Sequence, residues 1–82
     1  MSVRILYFAK IRDLTGKTEE ELALPEGVTT LGDLAAFLCR VHPVLVGRLS
    51  SVRFARNEAF AALSEPVLDG DTVALIPPVA GG

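Results

Sequence analysis

Few internal residues of the sequence could carry out chemistry. Cys39 and His42 lie three positions apart, a spacing that places two side chains on one face of a helix and resembles a cysteine–histidine nucleophilic pair. No third group that would orient the histidine is recognisable, and a free cysteine is often a small buried hydrophobic residue. We therefore interpret Cys39 as a packing residue and His42 as a residue near a helix end.

The sequence does not indicate a metal or phosphate site. The acidic run 19–21 contains no histidine and is typical of a solvated strand edge. Asp69-Gly70-Asp71 is too short for a calcium loop, and no glycine-rich phosphate loop is present. The sequence therefore predicts no metal site and no bound cofactor.

The final segment, Pro77-Pro78-Val79-Ala80-Gly81-Gly82, has a different character. Its two prolines favour an extended, stiff backbone, and its two glycines lack Cβ and make the end thin. Six extended residues span roughly 20 Å, enough to reach a deep site on another protein. The segment is suited to delivering a terminal carboxylate into a tunnel. The alternative is a frayed end without function, because chain termini are usually poorly ordered.

Size and charge favour a carrier or binding module over a self-contained enzyme. The 82 residues predict a single domain, 1–82, whose core has little room for an active-site cleft. Eight basic residues are spread along the chain against ten acidic ones. A nucleic-acid-binding protein would concentrate its basic residues on one face, so a protein partner is the better expectation.

Several features predict a cytoplasmic protein. The single cysteine cannot form an internal disulfide, which favours a reducing compartment. Arg4 and Lys10 interrupt the first apolar run, which is too short for a signal peptide. No stretch approaches the roughly 20 apolar residues of a membrane span, so we expect no membrane association.

The residue pattern predicts five strands and one main helix. Thr30 and Asp33 are typical of a capping box, and an apolar stripe predicts a helix over residues 31–42 that Pro43 ends. Residues 10–15 are expected to form no more than one helical turn. The strands are expected at residues 3–9, 18–24, 52–56, 59–63 and 72–76.

These elements predict an α+β fold. The first strand is apolar on both faces, with Val3, Ile5 and Tyr7 on one and Leu6 and Phe8 on the other, as is typical of a buried central strand. The main helix has one apolar stripe and must cover one face of a mixed sheet. With the first and last strands adjacent, parallel and central, this is the β-grasp (ubiquitin-like) arrangement.

Two segments resemble the molybdopterin synthase small-subunit family. In the first, residues 5–16, an aromatic pair and an alanine lead into an Arg-acidic-Leu-x-Gly turn. The second begins at Asn57, continues through residues 66–74 with their Asp-Gly-Asp turn, and ends with Ile-Pro-Pro-Val-Ala-Gly-Gly at 76–82. Residues 17–51 match only in the pattern of their elements. The resemblance implies a ubiquitin-like fold with a reactive C-terminal group.

The resemblance also implies a reaction sequence. An adenylyltransferase similar to ubiquitin-activating enzymes would use ATP to convert the Gly82 carboxylate to an acyl-adenylate, which a persulfide sulfur converts to a thiocarboxylate. The large subunit of molybdopterin synthase would direct that sulfur at cyclic pyranopterin monophosphate. Gly82 would then be a consumed and regenerated carrier. The chain would not be an enzyme by itself, and the catalytic residues would lie on the large subunit.

The resemblance also implies a partner surface, located by matching positions of this chain to those of the family. It is an apolar patch on the open face of the sheet that continues into the final segment, residues 77–82, which we call the tail. Phe60 departs from the aliphatic residue expected at its position, and the alternative is that the patch residues are ordinary core residues. The residues assigned to partner binding are Phe8, Phe60, Ile76, Pro77, Pro78, Val79, Ala80 and Gly81.

Two other classes of function remain open at this point. One is a related carrier that serves thiazole, cysteine or tRNA thiolation, or a protein modifier attached through Gly82 to lysines. The other is a binding module whose tail has no chemical role. The Pro-Pro-Val-x-Gly-Gly ending favours the molybdopterin route.

Overall fold

The computed structural model describes residues 1–78 and contains a five-stranded mixed sheet in the order β2-β1-β5-β3-β4. The elements are β1 (Ser2–Tyr7), α1 (Ala9–Thr15), β2 (Glu19–Ala23), α2 (Leu31–Val41), β3 (Arg53–Arg56), β4 (Ala59–Ala61) and β5 (Thr72–Ile76), with a 3₁₀ turn at Pro43–Leu45. β1 and β5 are adjacent and parallel, and the other strand pairs are antiparallel. The predicted β-grasp fold is confirmed.

Helix α2 covers one face of the sheet. Thr30 and Asp33 form the predicted capping box, in which each side chain bonds to the other residue's backbone N–H. Leu31, Leu34 and Leu38 are each fully buried against the sheet, and burial of one such side chain contributes about 1.5–3 kcal/mol. The helix ends at Val41 because Pro43 cannot continue it.

The first strand is shorter than expected and α1 is longer. β1 ends at Tyr7, and Ala9, with φ +49°, begins a seven-residue helix of about two turns. The expectation of a single turn was wrong because Ile11 buries its side chain and supports the helix on the core. Gly16, at φ +74°, ends the helix in the left-handed conformation that glycine adopts without strain.

Only one face of β1 is buried by a helix. Val3, Ile5 and Tyr7 lie in the core as predicted. On the opposite face, however, Leu6 is half-buried and Phe8 is exposed, so the prediction of a strand buried on both sides was wrong. The apolar character of that second face needs a different explanation.

No helix within residues 1–78 is long and apolar enough to cross a bilayer. The longest of them, α2, has eleven residues.

Candidate functional site

The open face of the sheet carries a row of small and apolar side chains. Strand register aligns Leu6 of β1 with Ala74 of β5, Ala74 with Ala55 of β3, and Ala55 with Phe60 of β4. Alternate residues of a strand point to opposite faces, so this row lies opposite the α2 side. The two central residues of the row are alanines, and their short side chains leave a depression between the larger side chains of Leu6 and Phe60.

A groove of about 250 Å³, which we call the sheet-face groove, follows this row. Phe8 and Ile76 border it at the end of β5, and Thr72 and Glu58 complete its lining. Phe8 is 44% exposed and Phe60 is 57% exposed. Exposed aromatic residues around an apolar groove are typical of a protein-binding site. The alternative that Phe8 and Phe60 are core residues is therefore wrong.

Arg53 lies at one side of the sheet-face groove, against Phe60. Its guanidinium carbon lies 3.8 Å from the centre of the Phe60 ring, a cation–π contact, and Arg53 is the cross-strand neighbour of Ile76. Sequence reasoning missed Arg53, Leu6 and the two alanines. Alternation along the strands was the available signal, because it places Leu6 on the face of Phe8 and Ala74 on the face of Ile76.

Charged residues border the apolar groove. Glu19 and Glu21 of β2 lie across from Leu6 and Arg4, and Glu58 lines the opposite side. The ion pair between Arg4 and Glu19, at 3.2 Å, is about half exposed and contributes little to stability. An apolar centre with a polar rim is the usual composition of an interface between proteins.

The groove continues toward the tail. Ile76 and Pro77 line a depression together with Phe8 and Ala9, and Pro78 follows directly. The structure thus brings Phe8, Phe60 and Ile76 together beside the start of the tail. The sequence analysis assigns Val79, Ala80, Gly81 and Gly82 to the tail and its reactive end, and these four residues lie outside the described residues.

His42 bonds to a carboxylate. Its Nε2 is hydrogen-bonded to the Glu20 side chain, the Tyr7 hydroxyl donates to the same oxygen, and the Tyr7 and His42 rings meet edge to face at 5.8 Å. Cys39 packs half-buried against the core, in agreement with its interpretation as a packing residue. The acidic run was predicted to be a solvated edge, which is wrong for Glu20 because β2 turns it toward α2.

The Tyr7–Glu20–His42 cluster joins the end of α2 to the edge of the sheet. Burial alone would raise the pKa of Glu20. Hydrogen bonds from Tyr7 and His42, together with the nearby charges of His42 and Lys17, have the opposite effect and are larger in sum. The pKa of Glu20 is therefore below its ordinary value. Burial and the Glu20 carboxylate raise the pKa of Tyr7. Within residues 1–78, no three His, Cys, Asp or Glu side chains are placed to hold a metal ion.

Comparisons with known proteins agree with this architecture. The ThiS family model matches residues 5–82. Molybdopterin synthase sulfur carrier subunits from Chlamydomonas reinhardtii and Mycobacterium tuberculosis are 38% and 37% identical to the chain. Both alignments cover all of this chain, with 100% and 99% of the relatives. Small archaeal modifier protein 1 from Haloferax volcanii is 32% identical over 92% of this chain and 94% of its own length.

Solved structures share the fold. SAMP1 from Haloferax volcanii superimposes with a TM-score of 0.88 at 31% identity, and both chains are covered completely. A chain in the complex of subunits 1 and 2 of molybdopterin-converting factor from Helicobacter pylori has a TM-score of 0.71 at 28% identity, again with both chains covered completely. The family match and the full-length relatives show that the chain belongs to the ThiS family and is a homologue of proteins named as sulfur carrier subunits of molybdopterin synthase.

Proposed function

We propose that the chain is the sulfur carrier subunit of molybdopterin synthase and that Gly82 is the residue that carries the sulfur. One structural observation supports this proposal most strongly. The apolar sheet-face groove runs through Phe8 and Ile76 directly into Pro77, at the base of the tail. A partner protein bound in the groove would fix the direction in which the tail leaves the carrier. The active site of that partner could then lie at the point that the end of the tail reaches.

The chemistry follows from the poor leaving group of a carboxylate. A carboxylate oxygen of Gly82 attacks the α-phosphate of ATP, pyrophosphate leaves, and an acyl-adenylate forms. The terminal sulfur of a protein persulfide then attacks the acyl carbon and AMP leaves. A thiol cleaves the resulting S–S bond and is oxidised to a disulfide, which releases the thiocarboxylate. ATP is used by the activating enzyme, and no cofactor resides on the carrier.

Sulfur transfer then regenerates the carrier. The thiocarboxylate sulfur attacks a side-chain carbon of cyclic pyranopterin monophosphate and displaces an oxygen substituent from that carbon, which gives a thioester between the pterin and Gly82. Water then cleaves the acyl–sulfur bond, which leaves the sulfur on the pterin and restores the Gly82 carboxylate. The carrier contributes the nucleophile, while the large subunit contributes the pocket and the catalytic residues. Positioning is decisive for such a reaction, since misplacing the reacting atom by about 1 Å can cost on the order of a hundredfold in rate.

The proposed partners are both proteins. The large subunit of molybdopterin synthase is proposed because the Helicobacter pylori relative is seen with its subunit 2. An adenylyltransferase similar to ubiquitin-activating enzymes is proposed because the terminal carboxylate must be activated. We propose a cytoplasmic location, with no role for nucleic acid or membrane.

A protein modifier is the second candidate function. The observation in its favour is the 32% identity to small archaeal modifier protein 1 over nearly the whole length of both chains. A modifier would use the same activated Gly82, but a lysine amine in place of a sulfur nucleophile would attack it. The two functions therefore differ in the product attached to the acyl carbon.

Reconstitution tests the proposal. The purified carrier is incubated with its activating enzyme, ATP and a sulfur donor, and then with the large subunit and cyclic pyranopterin monophosphate. We expect molybdopterin in an amount that scales with the carrier. If no molybdopterin forms and isopeptide conjugates to lysines appear in the same mixture, the result would contradict the carrier function and support the modifier function.

A further inference from the structure

A second groove, which we call the basic groove, opens beside the base of the tail. It lies between α1 and the loop 46–52, and its floor is apolar, with Leu14 and Val52 among its residues. Pro77 and Pro78 also line it. The basic and hydroxyl-bearing residues of its lining are Lys10, Arg48, Ser50 and Ser51.

The two grooves are continuous around the tail. Pro77 lines the basic groove and also the depression that it shares with Phe8 and Ile76. Phe8 and Ile76 in turn border the sheet-face groove. A partner that binds the sheet face and the tail therefore also contacts Pro77 and extends to the adjoining edge of the basic groove.

The charge of the basic groove is opposite to that of the whole chain. The chain has a net charge of −2, yet none of the groove-lining residues within 1–78 carries a carboxylate. Arg4, Lys17 and Arg56 each pair with a carboxylate. Lys10 and Arg48, by contrast, are exposed and form no ion pair with another of residues 1–78.

We propose that the basic groove receives a segment of the large subunit that carries Asp or Glu side chains, an inference that rests on the function proposed above. An ammonium, a guanidinium and two hydroxyls offer donors that carboxylate oxygens accept. The apolar floor accommodates the aliphatic part of such a segment. Charge pairs at the exposed edge of an interface mainly set orientation and the rate of association. The groove therefore fixes the direction in which the tail enters the partner.

Charge reversal tests this assignment. The variants are Lys10→Glu, Arg48→Glu and the double variant, with Arg40→Glu as the matched control. Arg40 is exposed, and Arg40→Glu changes the net charge by the same amount as either single variant, but Arg40 lies on α2, outside both grooves. Lys10 lies in the first turn of α1, where a glutamate is tolerated by the helix dipole, so the fold should persist.

Binding to the purified large subunit is then measured across a range of salt concentrations. We expect the double variant to associate about tenfold more slowly than wild type and to lose most of the salt dependence of its association rate. Arg40→Glu should stay within about twofold of wild type. Equal association rates for the double variant and the Arg40 control would overturn the inference.

Carbodiimide cross-linking identifies the chemistry of the occupant. This reagent joins an amine to a carboxylate in direct contact, so we expect a cross-link between Lys10 and an Asp or Glu of the large subunit. An Arg48→Lys variant should form a second cross-link, from residue 48 to a nearby Asp or Glu of the large subunit. Absence of both cross-links from an otherwise formed complex would overturn the inference. So would binding of inorganic phosphate that depends on Lys10 and Arg48 while binding of the large subunit does not.

The two proposals can fail separately. If wild type does not bind the large subunit at all, the proposed function fails. If wild type binds and supports molybdopterin formation while the groove variants behave like the Arg40 control, only the assignment of the basic groove fails.

Discussion

The Asn57 side chain donates a hydrogen bond to the Asp71 carboxylate at 2.9 Å and accepts one from the backbone N–H of Thr72, also at 2.9 Å. Asp71 is buried and also accepts from the Arg56 guanidinium and the Leu68 backbone N–H. Thr72 begins β5, the strand that leads into the tail. Asn57 and Asp71, both part of the family resemblance, therefore fix the hairpin β3–β4 to the start of the strand that positions the proposed reactive end.

Replacing Asp71 should destabilise the fold. In Asp71→Ala, the Asn57 amide, the Arg56 guanidinium and the Leu68 N–H lose their acceptor, so we expect the free energy of unfolding to fall by about 2–4 kcal/mol. Urea denaturation measures this change. Glu26→Ala, at an exposed turn position, should change the unfolding free energy by no more than about 0.5 kcal/mol. Equal values for the two variants would show that the Asp71 contacts contribute nothing to stability.

Glu20 should make stability depend on acidic pH. Its pKa in the folded protein is lower than in the unfolded chain, so the folded state favours the ionised form. The resulting stabilisation is complete above the ordinary pKa of a glutamate, about 4.3, and is lost as the pH falls through the lower folded value.

The Glu20→Gln variant isolates this effect. Between about pH 5 and pH 2, its unfolding free energy should decrease less steeply than that of wild type. Glu21→Gln, one residue along β2 and on the open face, serves as the control and should keep the wild-type slope. Parallel pH profiles for wild type and Glu20→Gln would contradict the role of the Tyr7–Glu20–His42 cluster.

The sheet-face groove should contribute binding energy to the partner and little stability to the fold. Phe8→Glu places a charge at the groove, so we expect affinity for the large subunit to fall by a hundredfold or more, about 3 kcal/mol, because buried aromatic residues dominate such interfaces. Its melting temperature should change by only a few degrees, since the side chain is 44% exposed.

Val44→Glu is the matched control for Phe8→Glu. Val44 is also 44% exposed but lies in the 3₁₀ turn, away from the sheet-face groove. Calorimetric titration of both variants with the large subunit should show a loss of affinity for Phe8→Glu alone. Similar losses for both, or a large drop in the melting temperature of Phe8→Glu, would place Phe8 in a structural role.

Local signals in the sequence predicted much of the fold. The Thr30–Asp33 capping box marked the start of α2 and Pro43 marked its end, because each acts through its own backbone neighbourhood. Thr72–Ile76 was also predicted with its observed bounds. These features need no knowledge of distant residues.

Features that depend on strand register could not be predicted. Ala55 and Ala74 become the floor of a groove only because β3 and β5 align them between Leu6 and Phe60. Glu20 faces α2 for the same reason, since a one-residue shift in pairing would turn it outward. The nearness of Lys10 and Arg48, which are far apart in sequence, likewise follows from tertiary packing of α1 against the loop 46–52.

The measurement that tests the central claim most directly is the intact mass of the chain after incubation with the activating enzyme, ATP and a sulfur donor. We expect the full-length chain to gain the mass difference between one sulfur and one oxygen, and to lose it again when the large subunit and cyclic pyranopterin monophosphate are added. A chain lacking Gly82, or carrying one extra residue after it, should support no molybdopterin formation, because the reacting atom is then misplaced. A full-length chain that never gains sulfur, or a truncated chain that still supports molybdopterin formation, would contradict the assignment of Gly82 as a sulfur carrier.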